Sequence, residues 1–305
     1  MKHLFLINPA AGKFDHTAVV TEAVRRVFAG RPDDAAEILL TEGPGHAAEL
    51  ARDACRPGDP LRIYACGGDG TLNEVVNGAA GFPNAAVTHY PCGSGNDFIR
   101  IFRDPAAFRD LARLADGEIA EFDLIQAGGR LSLNICSIGF DARIGTSIDR
   151  YRRLPLVTGS GAYVLSTIVN TVRGIHRPYI IDIDGRVVEG RQTLLCVCNG
   201  RWYGGGFNPV PEAEPDDGLL DVLIVRAVSR LTVPAVIGAY KAGRYRDLSN
   251  IIAHYRCRSI RVRCGEVSAV NVDGELLLSD DVTFSVAPEK IRFFCPPGAV
   301  WRSNR

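Results

Sequence analysis

The sequence predicts two domains of different class: an α/β half built on a mainly parallel sheet, then a half made of antiparallel β-structure. Three observations predict it. The chain has 305 residues, about twice the ~150 residues of an average domain. Up to about Ile119, short apolar runs alternate with segments of helical periodicity, the pattern of βαβ units with right-handed crossovers. Beyond that point strand-like runs follow one another, separated by Gly, Asp or Pro turns.

In the first half, Leu4–Ile7 is a short buried strand that ends in Asn8-Pro9-Ala10-Ala11-Gly12-Lys13. Val20, Ala23, Val24 and Val27 recur at helical spacing and predict a helix over Ala18–Phe28. Ala36–Leu40 is a second strand, closed by Thr41 and the break Gly43-Pro44-Gly45, with a helix over His46–Ala54. Leu61–Cys66 is a third strand, Gly67–Gly70 a turn, Leu72–Ala79 a helix, and Ala86–Tyr90 a fourth strand running into Pro91–Asp97.

In the second half, strands are expected at Glu121–Gln126, Arg130–Cys136, Tyr179–Ile183, Val187–Val188, Arg191–Cys198, Leu219–Val225, Ser259–Arg263, Val267–Val272 and Val282–Val286. Asp184-Gly185 and Asp273-Gly274 are tight-hairpin signals. Helices are expected at Gly159–Val172 and, after a Ser229 cap, at Pro234–Tyr245. The architecture fits a sandwich or a split barrel. Lys290–Cys295 is a last strand that returns to the first domain, giving boundaries of 1–121 plus 290–305 and 122–289.

Charge and cysteine content narrow the function classes. Lys+Arg and Asp+Glu both total 35, so no global field draws the protein to nucleic acid. The nine cysteines include no C-x-x-C pair, and free thiols in a reducing cytosol are the expectation. The N-terminal apolar run is too short for a signal peptide. No stretch approaches the ~20 apolar residues of a membrane span. A cytoplasmic location is expected, at most peripheral on the inner leaflet.

The strongest local motif is Gly67-Gly68-Asp69-Gly70-Thr71-Leu72-Asn73-Glu74, between a buried strand and a helix. Glycines there let a ligand approach the backbone, and the helix N-terminus favours phosphate. It is neither a P-loop nor G-x-G-x-x-G. Asn8–Gly12 and Pro91–Asp97 follow the first and fourth strands, so in a parallel sheet all three turns share the carboxyl edge, where ligands bind. Together they predict a nucleotide site, whereas Gly12-Lys13 or Asn96-Asp97 alone would be a surface turn and a helix cap. In the second half, Asn199-Gly200, Gly204-Gly205-Gly206 and Pro209–Leu219 form a long, turn-rich loop before a strand, and its carboxylates and carbonyls suit a hard cation as well as a solvated surface. Asp273 and Glu275 lie two apart, on one face if the strand continues, and a carboxylate there could take a proton from a hydroxyl. Taken alone, Asp273-Gly274 is an ordinary hairpin.

Four motifs in register, Gly67–Asn73 (GGDGTLN), Pro91–Arg100 (PCGSGNDFIR), Pro211–Asp221 (P-E-A-x-x-D-D-G-L-L-D) and Asn271–Glu275 (NVDGE), resemble the bacterial diacylglycerol kinase and related lipid kinases over essentially the whole chain. The resemblance implies an α/β nucleotide-binding domain and a β-sandwich domain with the active site in the cleft between. It also implies ATP- and Mg²⁺-dependent phosphorylation of a lipid hydroxyl. By motif position, ATP would contact Asn8, Pro9, Ala10, Ala11, Gly12, Thr41, Gly68, Asp69, Gly70, Thr71, Leu72, Asn73, Glu74 and Ser94. Glu214, Asp217 and Leu219 would form a structural Mg²⁺ site, with Glu214 and Leu219 contributing backbone oxygens. Asp69, Asp97 and Asp123 would join it through water. The proton acceptor falls at Glu275 or Asp273, with Glu275 ranked first because Asp273 is expected to hold its own turn.

Diacylglycerol is the default substrate; phosphatidylglycerol, undecaprenol and a sphingoid base are alternatives, followed by a NAD kinase and a silent nucleotide- or lipid-binding regulator. Two basic clusters beside apolar sequence, Arg150/Arg152/Arg153 and Lys241/Arg244/Arg246, are candidates for meeting an anionic membrane. Solvated faces are the plainer reading of each. A homodimer is the expectation for a soluble enzyme of this size.

Overall fold

The computed structural model describes residues 1–139 and 176–301. The chain divides into two compact units. One holds Met1–Leu124, Glu214–Asp216 and the chain from Ala287 onward, and the other holds Ile125–Ala213 and Asp217–Val286.

The first unit carries a six-stranded sheet. β1 (Lys2–Ile7), β2 (Ala35–Leu40), β3 (Leu61–Gly67) and β4 (Ala85–Pro91) are parallel and joined by helices α1 (Thr17–Phe28), α2 (His46–Cys55) and α3 (Asp69–Ala79). Leu4, Phe5, Leu6 and Ile7 are all fully buried, as are Ile63, Tyr64, Ala65 and Cys66. Helices therefore cover both faces of these strands, which explains why their sequences run apolar without alternation. The short helix α4 (Leu111–Ala115), capped by Asp110, leads into β5 (Glu118–Phe122). The last strand, β15 (Ile291–Cys295), inserts between β4 and β5, parallel to the first and antiparallel to the second. The order β2-β1-β3-β4-β15-β5 reverses direction between β1 and β3, and a parallel sheet opens its ligand crevice at such a switch point.

The second unit consists of β6 (Ile125–Ala127), β7 (Arg130–Ser132), β8 (Ile135–Gly139), β9 (Arg177–Ile183), β10 (Arg186–Cys198), β11 (Leu220–Arg226), β12 (Ile252–Cys257), β13 (Ser259–Val272) and β14 (Glu275–Val286). Every pairing is antiparallel. β10 and β13 are each bridged twice, by β9 at one end and by β8 at the other. The sheet thus closes on itself around an apolar core that includes Ile138, Ile181, Leu195, Val222, Val262 and Phe284. A second apolar layer packs helix α5 (Val233–Lys241) over Cys196, Leu223 and Val225. The two-domain α/β plus β-rich architecture agrees with the sequence expectation.

Several boundaries differ from the periodicity. The expected strand Glu121–Gln126 is broken at Asp123-Leu124, where the Asp123 amide donates to Pro215 O at 2.6 Å. Arg130–Cys136 is broken at Leu133-Asn134, whose amides are drawn to Asp273. Ser259–Arg263 and Val267–Val272 form one strand whose register shifts between Arg263 and Ser268, and Val187–Val188 and Arg191–Cys198 likewise merge into β10. Helix α5 ends at Lys241, short of the expected Tyr245, because Gly243 turns the chain at φ +68°. Its N-cap is Thr232; Ser229 Oγ accepts the Thr232 amide one turn earlier. The expected helix Gly159–Val172 and the cluster Arg150/Arg152/Arg153 lie outside the described residues.

Both hairpin signals are realised. Asp184 and Asp273 adopt φ of +46° and +47°, followed by Gly185 and Gly274 at +88° and +98°. This is the left-handed pair that a two-residue hairpin requires. The nine cysteines are free thiols and all but Cys264 are buried.

Candidate functional site

The carboxyl ends of β1, β3 and β4 bring the three glycine-bearing turns together. At the switch point, Asn8 Nδ2 donates to Thr71 Oγ1 at 3.0 Å, joining the β1 turn to the start of α3. Asn8 Oδ1 accepts the Ala10 amide at 3.0 Å and Asn8 O the Ala11 amide at 3.1 Å, so Pro9, Ala10 and Ala11 are wound into a tight turn. Gly12, at φ +82°, closes it where a Cβ would run into the Cys92 carbonyl. Thr41 is held by its amide to Ile7 O at 2.9 Å, one strand away on β2.

Asp69 connects the β3 turn to the β4 turn. Its Oδ2 accepts the Asn96 amide at 2.8 Å and its Oδ1 the Asp97 amide at 2.5 Å. Asn96, at φ +51°, closes the β4 turn on itself: Oδ1 accepts the Gly93 amide at 3.1 Å and Nδ2 donates to Gly93 O at 2.7 Å. A Cβ on Gly93 would overlap the Gly68 backbone, and one on Gly95 would overlap Asp69 Oδ2 with Asp97 Oδ2 nearby. Glycine is required at both positions because the two turns touch. Beneath them, Gly67 O accepts the amides of Cys92 at 2.8 Å and Gly93 at 3.0 Å, together with His89 Nε2 at 3.0 Å. A carbonyl can only accept, so Nε2 of His89 carries the hydrogen. Complete burial lowers the His89 pKa and keeps the ring neutral, against the attraction of Asp69.

Gly68 is the N-cap of α3. The amides of the first turn have no partner within the helix, and together with the helix dipole they favour an anion. Beside Gly12 and Ser94 a groove of about 540 Å³ is lined by Lys13, His16, Tyr90 and Arg109, and its described lining includes no acidic residue.

Not every residue expected at the nucleotide faces this edge. Both carboxylate oxygens of Glu74 are taken by the N-terminus of α2, from the Gly45 amide at 2.8 Å and the Ala47 amide at 3.1 Å. Leu72 is buried, and Asn73 is buried against Asn77 Nδ2, which donates to its Oδ1 at 3.1 Å. Asp97 lies 3.4 Å from Arg100 Nε, and Arg100 also donates to Gly95 O at 2.9 Å. Asp123 is 1% exposed and is met by Lys290 at 2.9 Å.

The acidic loop before β11 is shared between the units, Glu214 falling in the first and Asp217 and Leu219 in the second. Asp217 accepts the Leu219 amide at 3.0 Å and the Arg256 guanidinium. Among the described residues no group of three His, Cys, Asp or Glu side chains is arranged to hold a metal ion.

In the second unit, Asp273 and Glu275 are not on one continuing strand. β13 ends at Val272, β14 begins at Glu275, and Val272 pairs with Glu275 across the turn. The turn itself is braced by Asn271 Oδ1, which accepts the Gly274 amide at 2.8 Å. The Asp273 carboxylate accepts three other amides: Leu133 at 2.7 Å, Asn134 at 3.1 Å and Ile135 at 2.8 Å. Burial nevertheless outweighs these bonds and pushes its pKa up to about 6, whereas Glu275 is exposed.

Sequence reasoning overlooked His89, Arg109, Lys290 and His254. Nothing in a single sequence separates a buried histidine on a strand from core packing, and the partners of Lys290 and His254 lie 167 and 33 residues away.

A parallel α/β unit with a phosphate-suited edge, followed in the chain by an antiparallel β unit with a half-buried carboxyl of raised pKa, is an arrangement suited to a two-domain phosphotransferase. The family comparisons agree with this. Residues 2–127 match the diacylglycerol kinase catalytic domain, and residues 134–295 match the YegS C-terminal NAD kinase beta sandwich-like domain. The chain is 30% identical over 283 residues to a Pseudomonas aeruginosa protein named "Probable lipid kinase YegS-like", covering 91% of each. A Shewanella frigidimarina protein of the same name is 27% identical over 243 residues, 77% of each chain. A solved Bacillus anthracis structure described as "a putative diacylglycerol kinase" superposes with a TM-score of 0.74 at 27% identity, over 97% of both chains. The chain belongs to the diacylglycerol kinase-like family of lipid kinases.

Proposed function

We propose that this lipid kinase transfers the γ-phosphate of ATP to the free hydroxyl of diacylglycerol, giving phosphatidic acid. The observation that carries the nucleotide reading is the Asp69 clamp, which holds two glycine turns at the start of α3 with amides suited to phosphate. Asn8–Gly12, Thr41, Gly68–Thr71 and Ser94 line the nucleotide in this reading, while Leu72, Asn73 and Glu74 support it from behind.

The chemistry of the donors favours Mg²⁺ with the nucleotide. Asp69 and Asp97 bring carboxylate oxygens to the same point beside Gly95, and Mg²⁺ takes oxygen ligands while retaining water. Asp69 is already engaged by two amides, Asp97 faces Arg100 and Asp123 is met by Lys290, so all three residues would act through water. When bound, the ion supplies positive charge against the phosphates. The Glu214–Leu219 loop is a second proposed cation position.

Asp273 accepts the hydroxyl proton. A base with a pKa near the operating pH combines ionisation with proton affinity, and the value of about 6 supports Asp273 over the exposed Glu275. Its three amide bonds fix the carboxylate, and positioning does most of the work of an in-line transfer. The enzyme meets its lipid at a membrane surface on the cytoplasmic side, and works as a homodimer. Among the described residues no helix is long and apolar enough to cross a membrane. In the described basic cluster, Lys241 lies over Phe207, Arg244 pairs with Asp247 and Arg246 with Glu212. These cations brace their own unit.

The decisive experiment is transfer of labelled γ-phosphate from ATP and Mg²⁺ to a panel of lipids in mixed micelles, with NAD as a control acceptor and Asp273→Asn alongside. Labelled phosphatidic acid that disappears in the variant supports the proposal. Label on phosphatidylglycerol, undecaprenol or a sphingoid base, with none on diacylglycerol, replaces the substrate. ATP binding with no labelled product rejects it.

A further inference from the structure

The second-unit ends of the Pro209–Leu219 loop, at Glu212 and Asp217, are fastened by side chains of β11, β12 and the Tyr245–Leu248 turn. Glu212 Oε1 accepts from the Tyr245 hydroxyl and from Arg246. Asp217 accepts from Arg256, whose Nε lies 3.6 Å from Asp221 Oδ1. His254, on β12, stands between these two anchorages. Its Nε2 is 2.7 Å from Asp221 Oδ1 and its Nδ1 is 3.2 Å from the Tyr245 hydroxyl. A path of hydrogen bonds and one ion pair, between Asp221 and Arg256, therefore links Glu212 to Asp217 through Tyr245, His254, Asp221 and Arg256.

Counting hydrogens shows what this path requires. A carboxylate only accepts, so His254 Nε2 carries a hydrogen toward Asp221. Tyr245 has a single hydroxyl hydrogen, and burial together with Glu212 raises its pKa well above the ordinary range, so that hydrogen stays in place. If His254 is neutral, its Nδ1 and Glu212 Oε1 compete for the one Tyr245 hydrogen. If His254 is the imidazolium, Nδ1–H donates to the Tyr245 oxygen and Tyr245 donates to Glu212, so each donor has its own acceptor. The charged groups facing this array are Asp221 on β11, Arg256 on β12, Tyr245 and Arg246 on the 3₁₀ turn Tyr245–Leu248, and Glu212 and Asp217 on the loop.

We propose that His254 is a positioning residue of this kinase: its imidazolium joins the Glu212 anchorage, through Tyr245, to the Asp217 anchorage, through Asp221 and the Arg256 ion pair, and loss of its proton removes the Nδ1–H bond to Tyr245 and so loosens the Glu212 end. The consequence for catalysis rests on the reading above that the Glu214–Leu219 loop serves a cation, while the latch itself is independent of that reading. Protonation tightens the loop and deprotonation slackens it, so the apparent demand for Mg²⁺ rises with pH.

Trp301 supplies a readout that does not need activity. Its Nε1 donates to Asp216 Oδ2 at 3.3 Å, and Asp216 is adjacent in the chain to Asp217. The chain has two tryptophans, so Trp202→Phe leaves Trp301 as the sole reporter. In the full-length Trp202→Phe chain without nucleotide, fluorescence followed from pH 5.5 to 8.5 should show one transition. His254→Gln and, separately, Tyr245→Phe should each abolish it while circular dichroism and Tm show both variants folded. Half-saturating Mg²⁺ in the lipid kinase assay should rise at least about threefold between pH 6.5 and 8.5 in the unmutated chain and stay within about 1.5-fold in His254→Gln. No transition in the Trp202→Phe chain, or the same transition after His254→Gln, overturns the latch. A retained fluorescence transition with no difference in Mg²⁺ demand overturns only its catalytic consequence, which separates a failure of this inference from a failure of the cation reading.

Discussion

The carboxylate of Asp69, in the first turn of α3, accepts the backbone amide of Asp97, 28 residues further along the chain, at 2.5 Å. With the neighbouring Asn96 amide at 2.8 Å, this fixes the turn after β4 against the turn after β3. The two bonds set the geometry of the carboxyl edge of the sheet, where the proposed nucleotide would lie.

Removing the clamp should therefore weaken nucleotide binding more than it harms the fold. Asp69→Ala leaves two amides without their acceptor, at a cost of about 1–3 kcal/mol each where water cannot replace it. We expect ATP affinity to fall at least about tenfold, with a lower Tm, by titration calorimetry and thermal melting. Asp69→Asn keeps one accepting oxygen and should fall between.

Gly93→Ala tests the contact between the turns without touching a charge. Its Cβ would overlap the Gly68 backbone, which has no rotamer to escape into. ATP affinity should drop at least about tenfold, whereas Gly265→Ala, in β13 and with nothing within 4 Å of its Cβ, should stay within about threefold in the same titration.

Asp273 should impose a pH dependence of defined sign. Its raised pKa of about 6 means the base form is present above that value, so kcat/KM should climb with pH through about 6 and then level off. Asp273→Asn should lower turnover by about 100-fold or more, in the range of a lost general base, and should leave ATP affinity within about threefold. Stability runs the other way: the folded state holds this proton more tightly than the unfolded chain, so the group's contribution is full below about pH 4 and is lost as pH rises through about 6. Denaturant midpoints measured at pH 4.5 and 7.5 should differ less in Asp273→Asn than in the unmutated protein.

Glu74 separates helix capping from ligand contact. Because its two oxygens accept from Gly45 and Ala47, Glu74→Ala should cost about 0.5–2 kcal/mol of stability, the range for a lost N-terminal cap. Its effect on ATP affinity should be the smaller of the two when Tm and binding are measured together.

The sequence by itself determined the fold class and family of the protein. Strand-then-helix periodicity specified the parallel sheet, because strands buried on both faces must be apolar runs, and Leu4–Ile7 and Ile63–Cys66 are. Asp184-Gly185 and Asp273-Gly274 specified their hairpins, because left-handed φ at two successive residues suits few other pairs. Four motifs in register specified the family. Tertiary structure decided the roles within those motifs. Glu74 reads like a ligand and caps a helix; Asp273 reads like a turn residue and instead gathers three amides from the β7–β8 junction, so that burial, not its neighbours in sequence, sets its pKa. His89, Lys290 and His254 gave no signal, since their partners come from other strands. Sequence pattern reports which face of an element is apolar, whereas a side chain's proton and charge depend on the groups that fold against it from far along the chain.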